Sequence, residues 1–287
     1  MGTLNKLLLG MGLAVCLSAP SVAAPLSLPS DSPLYIKFDN REQIALGDTA
    51  TTWAGTNEIN WGVLVIDTIS IGQVTGVNTI ETTPGSFFND VSSHNAQITG
   101  IFYGIERLAP GMDDGGNTFP ATLGYLDLYW RDLNAFSTTN LSDALPGIRT
   151  SQSTATGFTE GDFLVRIMFA SGIIGTSEDV FIAGNVIPTP GTGFAGIATS
   201  YGVVDVGAGG AWAEALDTDW FTTAFGTRDL RFRNIYEELT AWDDLQNDIV
   251  GARSTDPATA YTVPEPATLA LLGFGLLGLG FAGRRKS

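Results

Sequence analysis

Short apolar segments that alternate with period two constrain the fold of this chain most strongly. The clearest case is residues 124–132, in which Leu126, Leu128 and Trp130 alternate with more polar side chains. Because successive side chains of an extended strand point to opposite faces, this spacing predicts a strand with one buried face. The outward face then carries Tyr125, Asp127, Tyr129 and Arg131.

Similar segments recur along the chain, separated by Gly, Pro, Asp and Asn. We expect further strands at residues 60–71, 96–108, 162–174, 180–187, 194–206, 220–225 and 229–234. Residues 235–245 differ, because their apolar side chains recur at helical spacing and predict a helix, with a continued strand as the alternative. Residues 255–262 read as a final strand or an extended linker. The pattern predicts a mainly β fold, an antiparallel β-sandwich or jelly-roll-like domain.

The charge balance excludes two classes of partner. Residues 24–263 hold 10 basic and 29 acidic side chains, a net charge of −19. Such a surface repels nucleic acid and anionic membranes, and it attracts divalent cations. The single cysteine, Cys16, lies in the N-terminal apolar run, so the remaining chain can form no disulfide.

Residues 1–23 have the three parts of a signal peptide. A basic residue comes first, an apolar segment predicted to be helical follows, and small residues suited to cleavage come last. We expect signal peptidase to cleave after Ala23, because cleavage after Ala24 would leave Pro25 next to the bond. A lipoprotein signal ending at Cys16 is the alternative, but a branched residue precedes this cysteine where a small one is required.

The last 25 residues combine a proline motif, an apolar segment and a basic end. The motif is Val263, Pro264, Glu265 and Pro266, and the basic end is Arg284, Arg285 and Lys286. Between them, residues 267–283 are apolar except for Thr268. This segment predicts a helix of about 25 Å, the lower limit for a transmembrane helix. The basic end would hold the C-terminus in the cytoplasm, so the globular part lies outside the inner membrane.

This tail resembles the PEP-CTERM sorting signal, because motif, apolar helix and basic end occur in that order. The resemblance covers only residues 263–287. It implies a Gram-negative host, often one that makes exopolysaccharide, and processing near the motif by a membrane-embedded exosortase. The inner membrane would hold the protein transiently, and its final place would be the cell surface or the extracellular matrix. The chain then divides into a signal peptide (1–23), an extracellular β domain (24–262) and this sorting signal; a plain membrane anchor is the alternative.

The sequence contains no recognisable catalytic set, so we expect a protein that is not an enzyme. The one histidine, His94, lies in a polar segment before a strand, and no nucleophile-elbow motif is present. One histidine without an exported cysteine cannot supply the usual zinc ligands. A glycosidase needs only two carboxylates about 5–10 Å apart, which leaves carboxylate chemistry as an alternative.

Calcium is the cofactor that best matches the acidic, glycine-rich composition. Asp113, Asp114 and Asn117 lie in a Gly-rich loop and predict a calcium site, and residues 217–219 are a second candidate. Neither segment matches the EF-hand loop. Asp and Gly also favour turns for purely local reasons.

Together these features predict an exported protein that is a structural or adhesive component of an exopolysaccharide or biofilm matrix. The first alternative is a carbohydrate-binding module, with Tyr125, Tyr129 and Trp212 as exposed aromatics on a concave sheet face. The second is a glycan-active hydrolase or lyase with two carboxylates in a deep cleft.

Overall fold

The computed structural model describes residues 25–46, 58–116, 119–146, 155 and 157–263. These residues contain fourteen strands: β1 (Pro33–Ala45), β2 (Glu58–Gly76), β3 (Thr79–Thr82), β4 (Phe88–Asn89), β5 (Ala96–Arg107), β6 (Phe119–Thr122), β7 (Tyr125–Asp132), β8 (Asp162–Ala170), β9 (Ile182–Gly184), β10 (Ala195–Val204), β11 (Phe221–Thr223), β12 (Gly226–Arg228), β13 (Leu230–Glu238) and β14 (Ile249–Tyr261). They also contain one short helix, α1 (Ala213–Leu216).

Eight of these strands form an antiparallel sheet that closes on itself. Their order is β2-β1-β14-β13-β10-β8-β7-β5, and β5 pairs with β2 to complete the ring. The prediction of a mainly β, antiparallel domain is confirmed. The strands nevertheless form one continuous ring of hydrogen-bonded pairs, where a sandwich or jelly roll would have two facing sheets.

Closure depends on β1, which the sequence pattern does not predict. This strand pairs with β14 without a break, from Pro33 opposite Tyr261 to Ala45 opposite Ile249. Its inward positions are apolar at first, but polar residues follow at Asn40 and Glu42. These two residues interrupt the apolar alternation, and the period-two signal is lost although the backbone remains extended.

The sheet forks at one end. Residues 201–204 of β10 pair with β8, whereas residues 198–200 pair with β9. Because β9 pairs with β6, and β6 with the end of β5, these two short strands replace β8 and β7 there. Gly124 lies at the fork with φ +106°, and a Cβ at this position would lie 2.5 Å from Ile105. The fork therefore requires glycine here.

All eight strands of the ring contribute inward side chains to one apolar core. The largest members include Phe38, Ile66, Ile98, Phe102, Leu128, Trp130, Ile167 and Phe232. The predicted alternation of Leu126, Leu128 and Trp130 is confirmed, since all three are buried in this core. Burial of this apolar surface is the main favourable contribution to folding.

A second apolar cluster covers part of the outer face. Trp61 of β2 packs against Trp242, with ring centroids 6.0 Å apart. The helix predicted at residues 235–245 is wrong, because β13 continues to Glu238 and two short 3-10 turns follow. The apolar side chains of this segment do not share one buried face, because Ile235 is exposed whereas Trp242 is buried.

Within the described residues, no helix has the length and apolar character required to cross a membrane. The predicted signal peptide at 1–23, the apolar segment 267–283 and the basic residues 284–286 lie outside these residues.

Candidate functional site

Outward side chains of β5, β7 and β8 form an aromatic and charged surface. Tyr103 and Tyr125 are cross-strand neighbours, with ring centroids 5.5 Å apart and planes inclined by 26°. The guanidinium carbon of Arg166 lies 5.7 Å from the centroid of Tyr125. Tyr125 is 38% exposed. We call Tyr103, Tyr125 and Arg166 the outer platform.

Asp127 holds the outer platform in place from beneath and is 0% exposed. Arg166 donates from Nε and Nη2 to the two carboxylate oxygens, each at 2.8 Å, and the Tyr103 hydroxyl donates at 3.2 Å. These hydrogen bonds raise the pKa of Arg166, while burial raises the pKa of Tyr103. The bidentate pair fixes the plane of the guanidinium group, so the platform is held in one geometry.

The structure brings together only part of the predicted aromatic surface. Tyr125 and Tyr129 share one face, but Tyr129 is half-buried and packs against Phe163. Trp212 is buried in the core, and its indole N–H donates to the Leu26 carbonyl. The prediction of an exposed Trp212 is wrong, and the platform lies on the convex outside of the ring, not on a concave face.

A cavity lies inside the closed sheet, beneath the fork formed by β6 and β9. The volume of this cavity is about 90 Å³, whereas a single water needs roughly 10–15 Å³ on the same measure. Its apolar wall, as we call the apolar part of the lining, contains five phenylalanines: Phe38, Phe102, Phe119, Phe169 and Phe232. The polar part of the lining, which we call the polar wall, consists of Asn40, Glu42, Asn60, Ser200, Asn234 and Tyr236.

Glu42 is the only carboxylate among the described residues that line the cavity, and none of these residues is basic. Its Oε2 accepts a hydrogen bond from Asn60 Nδ2 at 2.8 Å. Burial raises the pKa of Glu42 from 4.5 to about 7, against the opposing effect of hydrogen bonds from Asn60 and Asn40. A buried carboxyl group that titrates near neutrality inside a cavity is typical of a functional site.

Carboxylate catalysis would require a second acid close to the first. Asp127 is engaged by Arg166, and the lining residues described here offer Glu42 alone. Outside the cavity, burial together with Asp39 and Asp90 raises the pKa of Asp67 to about 6. His94 is exposed beside Phe88. Glu42 has no second carboxylate beside it among the described lining residues, whereas Asp39, Asp67 and Asp90 lie close enough together to interact. The hydrolase or lyase alternative stays a prediction.

The predicted calcium loop has a local structural role. Asp113 and Asp114 each accept a hydrogen bond from the backbone N–H two residues later, and Asn117 lies outside the described residues. In residues 217–219, backbone N–H groups donate to Asp229. No group of three His, Cys, Asp or Glu suited to a metal occurs in the described part of the chain. The calcium site stays a prediction.

Only the first residue of the predicted sorting motif is described. The Val263 N–H donates to the Ala215 carbonyl at 3.0 Å, which joins this residue to the folded domain. The other predicted processing positions, Pro264, Glu265, Pro266, Arg284, Arg285, Lys286, Ala23 and Ala24, lie outside the described residues.

Comparison with known families identifies this segment. Residues 262–286 match the PEP-CTERM protein-sorting motif. The motif implies an exported protein that an exosortase processes and that is sorted to the cell surface. No curated protein and no solved structure matches the chain.

Proposed function

We propose that this protein is a non-enzymatic component of the extracellular matrix of a Gram-negative bacterium, and that it adheres to exopolysaccharide through the outer platform. The PEP-CTERM motif supports an extracellular location. An adhesive role needs an accessible surface of fixed geometry, and Tyr125 with its neighbours on β5 and β8 offers one.

The near-parallel tyrosine pair carries this proposal. Sugar rings present apolar C–H faces, and these stack on aromatic side chains, while Arg166 supplies donors for hydroxyl groups. Because Asp127 already fixes Arg166, binding costs little additional side-chain ordering. The net charge of −19 on residues 24–263 disfavours strongly anionic polymers, so we expect a neutral polysaccharide.

Affinity for the host's own polysaccharide, measured by co-sedimentation, tests the outer platform. Tyr125→Ala removes one ring, and we expect binding to weaken about tenfold. Tyr261→Ala is the matched control, because Tyr261 and Trp220 form another near-parallel pair with centroids 5.6 Å apart. Unchanged binding by Tyr125→Ala, or equal loss in both variants, would contradict the proposal.

The same mixtures test the absence of catalysis. Prolonged incubation with polysaccharide should release neither new reducing ends nor unsaturated sugar products. If the wild-type protein releases either product, the adhesive role is contradicted and the hydrolase or lyase alternative is supported. The variant Asp67→Asn would then show whether the carboxyl group with a pKa of about 6 takes part.

A further inference from the structure

The cavity inside the ring is separate from the outer platform. Phe102 and Leu126 line the cavity, whereas their sequence neighbours Tyr103 and Tyr125 point outward from the same two strands. Adhesion through the outer face therefore does not use the cavity or Glu42.

We propose that the cavity binds a small, mainly aromatic molecule that carries one hydrogen-bond-donating group, a hydroxyl or an amine, directed at Glu42 and Asn234. This is a second activity, and it does not depend on polysaccharide binding. The chemistry of the apolar and polar walls together defines this class of ligand.

The apolar wall selects the body of the ligand. Its five phenylalanines offer ring faces and edges, which favour a flat aromatic molecule over a polar one. Small residues on the fork side, Gly184, Ala198 and Ser200, leave the space open. A larger side chain at Ala198 or Ser200 would project into the cavity, whereas a Cβ at Gly184 would contact Phe119.

The polar wall selects the head of the ligand, because the one buried polar atom in it without a hydrogen-bond partner is an acceptor. Asn234 Oδ1 is buried and has no hydrogen-bond partner among the described residues. Glu42 adds a carboxyl group that only neutral amides contact. A ligand hydroxyl or amine would satisfy these acceptors, whereas a carboxylate or phosphate head would find no basic side chain among the described lining residues to compensate its charge.

Calorimetry on the protein isolated from cells that export it tests this site with three probes of one size. We expect p-cresol to bind about ten times more tightly than toluene, because its hydroxyl meets the polar wall. The anion p-toluate should show no binding. Absence of p-cresol binding, or equal affinity for p-cresol and p-toluate, overturns the proposal.

Two variants locate the binding. Glu42→Gln keeps the side-chain shape and an oxygen for Asn60, and it should reduce the preference for p-cresol over toluene. Ala198→Leu should fill the cavity and abolish binding of both probes, with circular dichroism and the melting temperature showing that the fold is retained. Tyr261→Ala, remote from the cavity lining, is the control and should bind as wild type.

Each variant can also contradict the inference. A full p-cresol preference in Glu42→Gln would show that this residue does not recognise the head group. Binding that persists in folded Ala198→Leu protein would show that the probes occupy another place. If Ala198→Leu fails to fold, Ser200→Leu takes its place, and the same outcomes apply.

Discussion

Two carboxyl groups of this domain are buried to a similar extent but are stabilised in opposite ways. Asp127, on the outside of β7, is 0% exposed, and Glu42, inside the ring, is 8% exposed. Asp127 forms a bidentate ion pair with Arg166, whereas the hydrogen-bond partners of Glu42 among the described residues are neutral amide groups. Burial alone therefore does not decide the charge of a carboxyl group; the nearest partner does.

The difference follows from the cost of removing a charge from water. A guanidinium group held at 2.8 Å from each oxygen compensates Asp127, so that this carboxylate can act as a rigid support. Glu42 has no such partner among the described residues. Burial therefore destabilises its charged form and favours the protonated form. Asp127 is thus held by its ion pair, whereas the protonation of Glu42 changes near neutral pH.

The largest effect is expected where the ion pair is broken. Asp127→Asn leaves Arg166 partly buried without its counter-charge, and we expect unfolding free energy to fall by about 3–5 kcal/mol. Urea denaturation at pH 7 measures this loss. Tyr103→Phe is the control, because it removes one hydrogen bond to Asp127 and should cost only about 1 kcal/mol. A loss below that of the control would mean that the pair contributes little.

The second effect concerns Glu42 and depends on pH. Because its pKa is raised from 4.5 to about 7, the folded protein binds more protons than the unfolded chain between these values. The contribution of Glu42 to stability therefore falls as pH rises through this window, by about 3 kcal/mol in total.

Glu42→Gln should remove this loss, so that the variant gains stability relative to wild type between pH 4 and pH 8. Thermal or urea denaturation across this range measures the difference. Tyr236, the other titratable group in the cavity lining, does not interfere, because burial raises its pKa to about 12. A constant difference between the two proteins across the pH range would contradict the raised pKa.

The smallest effect is expected at an exposed ion pair. Arg253 and Glu237 approach to 2.7 Å, but their side chains are 57% and 55% exposed. Glu237→Gln should change unfolding free energy by less than about 1 kcal/mol, and the change should shrink in high salt. Urea denaturation at two salt concentrations measures it. A loss comparable to that of Asp127→Asn would show that burial is not the feature that distinguishes the two ion pairs.

The sequence predicts local patterns better than their assembly. Alternation in residues 124–132 identifies β7 and places Asp127 on its outward face, as the structure has it. The partner Arg166 and the neighbour Tyr103 follow only from strand order and register, which depend on residues far apart in the chain. The platform could therefore be found only in part from the sequence.

The cavity is harder to predict for the same reason. Polar residues within β1 carry no periodic signal, and only the ring brings Glu42 and the phenylalanines of other strands to one cavity. At residues 235–245, apolar spacing alone favours a helix, but pairing with β10 and β14 keeps the chain extended to Glu238. Tertiary pairing thus overrides the local pattern.

The pairing of β1 with β14 also sets an order of events in time. The sheet cannot close until β14, the last strand, has crossed the membrane and met β1. Thr262, directly after it, is then buried, with its hydroxyl donating to the Pro29 carbonyl at 2.6 Å. Pro264 is two residues further along the chain, a distance of at most about 7 Å. An exosortase that acts near Pro264 therefore meets its target at the edge of the newly folded domain, and folding is complete only when export of the domain is.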